Sequence, residues 1–202
     1  MKNVYRIGID EVGRGPLAGP VVVCACAIME GCTITEHYPK KKLLDSKKLS
    51  SLQRGAILEK IEKLKKENKI FFGLGEASNQ RIDEVGLSQA IRESLLQALS
   101  SLHSQGVEKS SKVYLDGALH APEEYTQETI IKGDEKIQEI SLASIYAKEY
   151  RDAVMKELAK TFPLYHFENH VGYGTKAHYE AIASYGTTPI HRKTFLRTYA
   201  EK

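Results

Sequence analysis

Apolar residues along this chain fall into two kinds of run. Val4 to Ile9 and Val21 to Ile28 are short and nearly continuous, the second almost wholly apolar, and both read as strands, with Val21 to Ile28 inside a sheet. The connection between them, Gly13-Arg14-Gly15-Pro16-Leu17-Ala18-Gly19-Pro20, is dense in residues that break regular structure and predicts a tight link. Ser50 with Gln53 forms a capping-box pattern, and Ile57, Leu58, Ile61 and Leu64 follow at amphipathic helical spacing. Ile70 to Ala77 reads as a third strand. One helix is expected over Ile82 to Leu102, with Ile91, Leu95, Leu99 and Leu102 on one stripe and Gly106 beyond its end. A fourth strand, Lys112 to Leu115, runs into Asp116-Gly117, and a short fifth near Glu128 to Ile131 precedes Lys132-Gly133-Asp134. Ile140 to Leu158 is expected to be helical, its small Ala143, Ser144 and Ala147 permitting close backbone approach. Thr175 to Tyr185 reads as a further helix stopped by Gly186, with the tail after Pro189 helical as well. Adjacent strands, then alternating helices and strands, then helices, imply an α/β sheet flanked by helices. The expectation is a single domain over 1–202, with a helical C-terminal segment from about 175 to 202.

Composition narrows the class without naming a function. At 202 residues, with 42% hydrophobic and 27% charged, the chain fits one globular domain with a substantial core. Its three cysteines are an odd number and argue against a disulfide framework; Cys24 and Cys26 fall on one face of a strand. The start, Met1 to Arg6, carries no apolar leader and no segment approaches membrane-spanning length, so a cytoplasmic protein without membrane contact is expected, as a monomer by default. A net charge of +3 is weak support for a nucleic-acid partner. The clusters Lys40-Lys41-Lys42, Lys47-Lys48 and His191-Arg192-Lys193 are each equally compatible with a solvated basic face. Lys60, Lys63, Lys65 and Lys66 interleave with Glu59, Glu62 and Glu67 and read as the solvated side of a helix.

Three acidic positions share one placement: Asp10-Glu11, Asp116 and Asp134 each follow a strand beside a turn, where open α/β sheets gather their functional groups. Successive strand residues face opposite sides, so Asp10 and Glu11 are expected to converge where the strand stops. Four gathered carboxylates would repel one another unless hard cations such as Mg²⁺ compensated them, and two such ions suit phosphodiester cleavage. Taken singly, each acid is an ordinary turn residue; the set leaves both readings open. Gly13, Gly15 and Gly19 do not match a dinucleotide fingerprint, and no Walker A sequence, nucleophile elbow or zinc motif is present. The Gly13-Arg14-Gly15 backbone suits a sugar–phosphate instead. His170 reads as a loop histidine at the surface.

At these residues the sequence closely resembles the bacterial ribonuclease HII family. The blocks are Gly8 to Val22, opening with Gly8-Ile9-Asp10-Glu11; Asp45-Ser46-Lys47-Lys48-Leu49-Ser50; Leu115-Asp116-Gly117; Lys132-Gly133-Asp134-Glu135-Lys136; Ala143 to Lys148 with Arg151-Asp152; His170-Val171-Gly172-Tyr173-Gly174-Thr175; and Pro189-Ile190-His191-Arg192. They occur in order from about Ile7 to Phe195. The resemblance implies a ribonuclease H-like fold, a mixed five-stranded sheet with helices on both sides. It implies cleavage of the RNA strand of RNA–DNA hybrids and incision 5′ to single ribonucleotides in duplex DNA. By the same resemblance Asp10, Glu11, Asp116 and Asp134 are the catalytic, metal-binding acids for two Mg²⁺ or Mn²⁺ ions. Gly13, Arg14, Gly15 and Tyr173 match ribonucleotide-recognising residues, and Ser46, Lys47 and Lys48 match phosphate contacts. Arg151 and Asp152 read first as a helix-borne structural pair. Val12 and Tyr146 depart from the Ala and Val of many relatives, without touching a proposed catalytic group. An Asp-Glu pair beginning at residue 10 leaves no room for the N-terminal domain of the sister family, ribonuclease HIII, and the tail shows no clamp-binding motif.

Two rival readings remain at the level of sequence. One is a DNA resolvase or integrase-like nuclease on a related fold, which would cut pure DNA equally well. The other is a nucleic-acid-binding module without catalysis, which retention of all four acids disfavours.

Overall fold

The computed structural model describes residues 4–32, 34 and 49–196; Ser46, Lys47 and Lys48, like Lys40 to Lys42, lie outside the described residues. Five strands form one sheet: β1 (Tyr5–Val12), β2 (Val21–Met29), β3 (Ile70–Ala77), β4 (Lys112–Asp116) and β5 (Gln127–Ile130), in the order β3-β2-β1-β4-β5. β1 pairs antiparallel with β2, and β2 with β3, whereas β1–β4 and β4–β5 are parallel. The sheet is therefore mixed and five-stranded. Its helices are α1 (Ser51–Lys66), α2 (Asn79–Val85), α3 (Leu87–Ser104), α4 (Gln138–Thr161), the single turn α5 (Phe167–His170) and α6 (Lys176–Tyr185).

Strand alternation sorts the core into two layers. Ile7, Ile9, Val23 and Ala25 face Ile82 of α2 and Ile91, Leu95 and Leu99 of α3. Val22, Cys24 and Cys26 face Ile57 and Ile61 of α1 and Leu142, Ala143 and Ala147 of α4. With helices packed on both faces, β2 is buried along nearly its whole length. Two close approaches fix the layers. A Cβ on Gly73 or Gly75 would collide with the Ala98 or Ser94 carbonyl of α3, and one on Gly8 with the Glu139–Ile140 backbone of α4. A third cluster, with Leu17, Ala18, Met155, Phe167 and Ile182, joins the β1–β2 connection and α6 to the far end of α4.

Several local signals act as expected. Ser50 and Gln53 make the reciprocal capping box of α1, Thr175 caps α6, and Gly186 ends it with φ +78°. Tyr146 stacks on Phe72 with ring centroids 4.2 Å apart, which explains a large aromatic at that position of α4.

Three expectations are corrected. The helix expected over 82–102 is two helices, because Gly86 adopts φ +80° and ends α2 before α3 begins. β1 continues to Val12, so Asp10 and Glu11 lie within the strand and not beyond it. Among the described residues of the tail after Pro189, His191 forms a bridge to Ala18 and Lys193–Phe195 a 3₁₀ turn, with no helix up to Leu196. The tail's backbone groups are spoken for elsewhere: Ile190 O accepts from Gly19 N, Arg192 N donates to Leu17 O, and Asp83 takes the Lys193 and Thr194 N–H groups. Among the described residues, α6 is the helix of the expected 175–202 segment.

Candidate active site

The ladder between β1 and β4 ends at Ile9–Leu115. Past that point the parallel strands part, and Asp10, Glu11 and Asp116 stand at the opening. They share a cleft of about 390 Å³ with Val12, Gly13, Arg14, Gly15, Ser144, Lys148 and Tyr173. The convergence expected at the end of a strand thus arises at the end of a strand pairing.

Asp10 lies on the α4 side of the sheet, opposite Cys24 in register, and is 4% exposed. Burial, then repulsion from Glu11 and Asp116, pushes its carboxyl up to about 8, against the Ser144 hydroxyl and the Glu11 N–H that favour its charge. Glu11 donates its N–H to Asp10 Oδ1 at 2.8 Å, and its Oε1 accepts from Arg14 Nη1 at 2.9 Å. Its other oxygen, Oε2, is buried without a hydrogen-bond partner among the described residues. Asp116 Oδ1 accepts from Gly133 N at 2.6 Å, which ties the end of β4 to the turn carrying Asp134. Asp134 itself is buried, 1% exposed, and does not line the cleft.

The turn after β1 is built from below by two arginines. Arg192, fully buried, donates to the carbonyls of Gly19 (3.0 Å), Arg14 (3.1 Å) and Gly13 (2.7 Å). Arg151, equally buried, donates to those of Pro20 (2.9 Å), Ala18 (3.1 Å) and Val171 (2.9 Å). These bonds occupy the carbonyls of the connection from beneath, where planar forked donors serve several acceptors at once. Gly13 has φ +89°, and a Cβ there would collide with the Arg151 guanidinium, so both its conformation and its packing require glycine. Tyr173, 41% exposed, flanks the turn, its ring 3.8 Å from where a Gly15 Cβ would stand.

Arg151 and Asp152, read as a structural pair on the helix, both make structural contacts, but with different partners. Asp152 pairs with Arg54 (3.2 Å) and Lys148 (3.3 Å). Arg54 also binds Glu149 (2.7 Å) and the Leu49 carbonyl (2.6 Å), fastening the start of α1 to α4. His170 is buried and not a surface residue. Sequence reasoning also missed Lys148 and Ser144 as cleft residues; their i, i+4 spacing on α4 was the available signal.

The donor set suits a hard divalent cation: carboxylate oxygens, one of them buried and unbonded, and an acid whose charge the protein alone disfavours. Among the described residues no three such groups close into a cage. Mg²⁺ is commonly held by one or two carboxylates with water and substrate phosphates, so the open arrangement is compatible with it.

Carboxylates are thus gathered where two parallel strands of a mixed sheet part, beside a glycine turn. The family model described as Ribonuclease HII matches residues 7–198. The chain is 44% identical to ribonuclease HII of Chlamydia pneumoniae over 188 residues, covering 93% of this chain and 81% of that protein. It is 46% identical to ribonuclease HII of Bacillus cytotoxicus over 191 residues, 95% of this chain and 68% of that one. The fold matches the crystal structure of ribonuclease H2 from Pyrococcus horikoshii with a TM-score of 0.74 at 26% identity, covering 98% of both chains. The chain belongs to the ribonuclease HII family. Its activity is that of an endonuclease that hydrolyses the RNA strand of RNA–DNA hybrids and incises DNA at ribonucleotides, within a family of divalent-metal-dependent nucleases. Among the described residues, no helix is long and apolar enough to cross a membrane.

Proposed function

We propose that Asp10, Glu11, Asp116 and Asp134 hold two Mg²⁺ or Mn²⁺ ions, and that the cut falls 5′ to the ribonucleotide, leaving a 3′-OH and a 5′-phosphate. The observation that carries this reading is Asp10, buried between Glu11 and Asp116 at the mouth of an open cleft, with a carboxyl pushed up to about 8. Such an acid is at rest when a cation neutralises it. Bound divalent ions supply an activated water and charge compensation for the departing oxygen.

The chain's own groups orient the substrate. The Gly13-Arg14-Gly15 backbone approaches the ribose, where a 2′-OH both donates and accepts. Tyr173 places a flat ring and a phenol beside it. Ser46, Lys47 and Lys48 are proposed to bind backbone phosphates, which fix register without reading sequence. Lys148, which pairs with Asp152, also lines the cleft. The enzyme is proposed to act as a cytoplasmic monomer.

The test is a duplex DNA carrying one ribonucleotide, incubated with Mg²⁺, with Mn²⁺ and with chelator. Metal-dependent incision 5′ to the ribonucleotide is expected. Incision that persists in chelator, or a cut on the 3′ side, refutes the reading. Equal cutting of all-DNA duplex would favour a resolvase-like enzyme.

A further inference from the structure

Behind Tyr173 lies a buried histidine cluster that the hydrolytic groups do not use. His178 is 0% exposed, His191 2% and His170 9%. The rings of His170 and His178 stack at 4.5 Å, and Phe167 meets the rings of His170 and His178 edge-on. His178 Nε2 and His191 Nε2 are 3.0 Å apart. Two imidazole nitrogens at that distance share a proton only if one ring offers N–H and the other a lone pair.

The outer partners decide which. His178 Nδ1 lies 2.9 Å from the Tyr173 carbonyl, which can only accept, so His178 carries its proton on Nδ1 and its Nε2 is bare. His191 Nδ1 accepts from Thr188 N at 2.8 Å, so His191 carries its proton on Nε2. One assignment satisfies every contact: the Thr188 N–H and hydroxyl, the latter also 2.8 Å away, both donate to His191 Nδ1, His191 Nε2–H donates to His178, and His178 Nδ1–H donates to the Tyr173 carbonyl. Burial holds both rings below the usual histidine range, which keeps them neutral as this chain of bonds requires. A proton added to either ring would set two N–H groups against each other.

We propose that His178 and His191 are positioning residues for the reaction: a neutral pair of opposite tautomers that fixes the Tyr173 backbone, and with it the ring that reads the ribonucleotide. This rests on the reading of Tyr173 as a contact to the ribonucleotide. The pair bridges α6, which carries His178, and the 189–192 segment, whose Arg192 holds Gly13 and Arg14 from below. The tyrosine and the glycine turn beside it are thus referred to one buried point.

The experiment begins with the intact wild-type protein, its histidines ¹⁵N-labelled, at neutral pH. His178 is expected as the Nδ1–H tautomer and His191 as the Nε2–H tautomer, with scalar coupling between their Nε2 nuclei. Two rings of the same tautomer, or an imidazolium in the pair, overturn the proposal even if every variant fails to fold. Two variants then separate positioning from packing. His178→Asn sets an amide donor where Nδ1 stood and loses the bond to His191. His178→Gln sets its amide near Nε2 and leaves the Tyr173 carbonyl without that donor. Preference for a single ribonucleotide over a long RNA–DNA hybrid is expected to fall on the order of tenfold further in the Gln variant than in the Asn variant, the effect of one lost hydrogen bond. Equal preference in the two variants overturns the proposal. Tyr173→Ala serves as the reference: if it keeps the wild-type preference, the reading of Tyr173 fails and takes this proposal with it. If Tyr173→Ala changes the preference while Asn and Gln behave alike, only the histidine pair fails.

Discussion

Arg192 Nη2 donates to the Gly13 carbonyl at 2.7 Å across a sequence separation of 179 residues. The bond joins the last described segment of the chain to the turn that follows the first strand. Its partners on the same guanidinium, the Arg14 and Gly19 carbonyls, extend the contact along the connection. With the carbonyls drawn inward, the turn presents its other edge to the cleft. The C-terminal segment therefore sets the shape of a turn that lines the cleft.

Replacing Arg192 with Lys tests this directly. A lysine ammonium is compact and cannot reproduce the planar fork. Buried carbonyls would lose their donors, each at a cost of ~1–3 kcal/mol, so Arg192→Lys is expected to lower unfolding stability by roughly 2–4 kcal/mol. Urea denaturation measures it. A change within about 0.5 kcal/mol, typical of surface substitutions, would show that the fork is dispensable.

The acids should behave differently. Asp10→Asn, Glu11→Gln, Asp116→Asn and Asp134→Asn are each expected to stay folded and lose at least ~10²–10³ in rate, the scale of removing one electrostatic stabiliser. Cleavage of a hybrid at saturating Mg²⁺ is the measurement. Near wild-type turnover in the Asp10 or Asp116 variant would remove that residue from the metal site. The same result for Asp134 alone would agree with its absence from the cleft lining.

Asp10 also predicts a pH dependence of the metal-free protein. Folding raises its carboxyl from 3.8 to about 8, so between those values the folded chain holds a proton that the unfolded chain has released. Its contribution to stability is fully present below about pH 4 and is lost as pH rises through about 8. In chelator, Asp10→Asn should match wild type near pH 4 and exceed it in melting temperature above pH 8. Added Mg²⁺ should stabilise wild type more than the variant, since a ligand that binds only the folded state raises its stability. A constant difference between the two proteins across this range would show that Asp10 is not perturbed by its neighbours.

Much of this was readable from local signals, and each miss has a physical cause. Apolar runs bounded by turn signals marked all five strands, and the Ser50 capping box and Gly186 marked helix ends that the structure keeps. Asp10, Glu11, Asp116, Gly13, Arg14, Gly15 and Tyr173 do share one cleft. What escaped depends on backbone conformations and packing partners that hydrophobic spacing does not carry. Gly86 breaks a continuous apolar stripe with a backbone conformation that periodicity does not encode. The tail after Pro189 has helix-compatible residues, but Leu17, Gly19 and Asp83 claim its backbone. Arg151 lies beside Asp152 in sequence yet bonds to carbonyls about 130 residues away. His170 read as exposed because nothing local announces His178 and Phe167 packed against it.

Tyr173 gives the prediction that bears most on how RNA is told from DNA. The ring is 41% exposed and stands beside Gly15, so close that a Cβ there would touch it. Its backbone is held by Thr175 N and His178 Nδ1, at 2.8 Å and 2.9 Å, so the phenol is presented from a fixed base. A phenol there supplies a hydrogen bond, and the ring supplies a flat surface for the neighbouring deoxyribose. Tyr173→Phe keeps the surface and loses the bond, and should reduce cleavage at a single ribonucleotide by on the order of tenfold. Tyr173→Ala loses both and should fall further. The loss should concentrate on the RNA–DNA junction, because a long hybrid offers ribose at every position and many registers for binding. Rates on a single-ribonucleotide duplex and on a long hybrid, taken side by side, decide the matter. If both variants slow the two substrates by the same factor, Tyr173 contributes to general binding and the 2′-OH is read by the Gly13-Arg14-Gly15 turn without it.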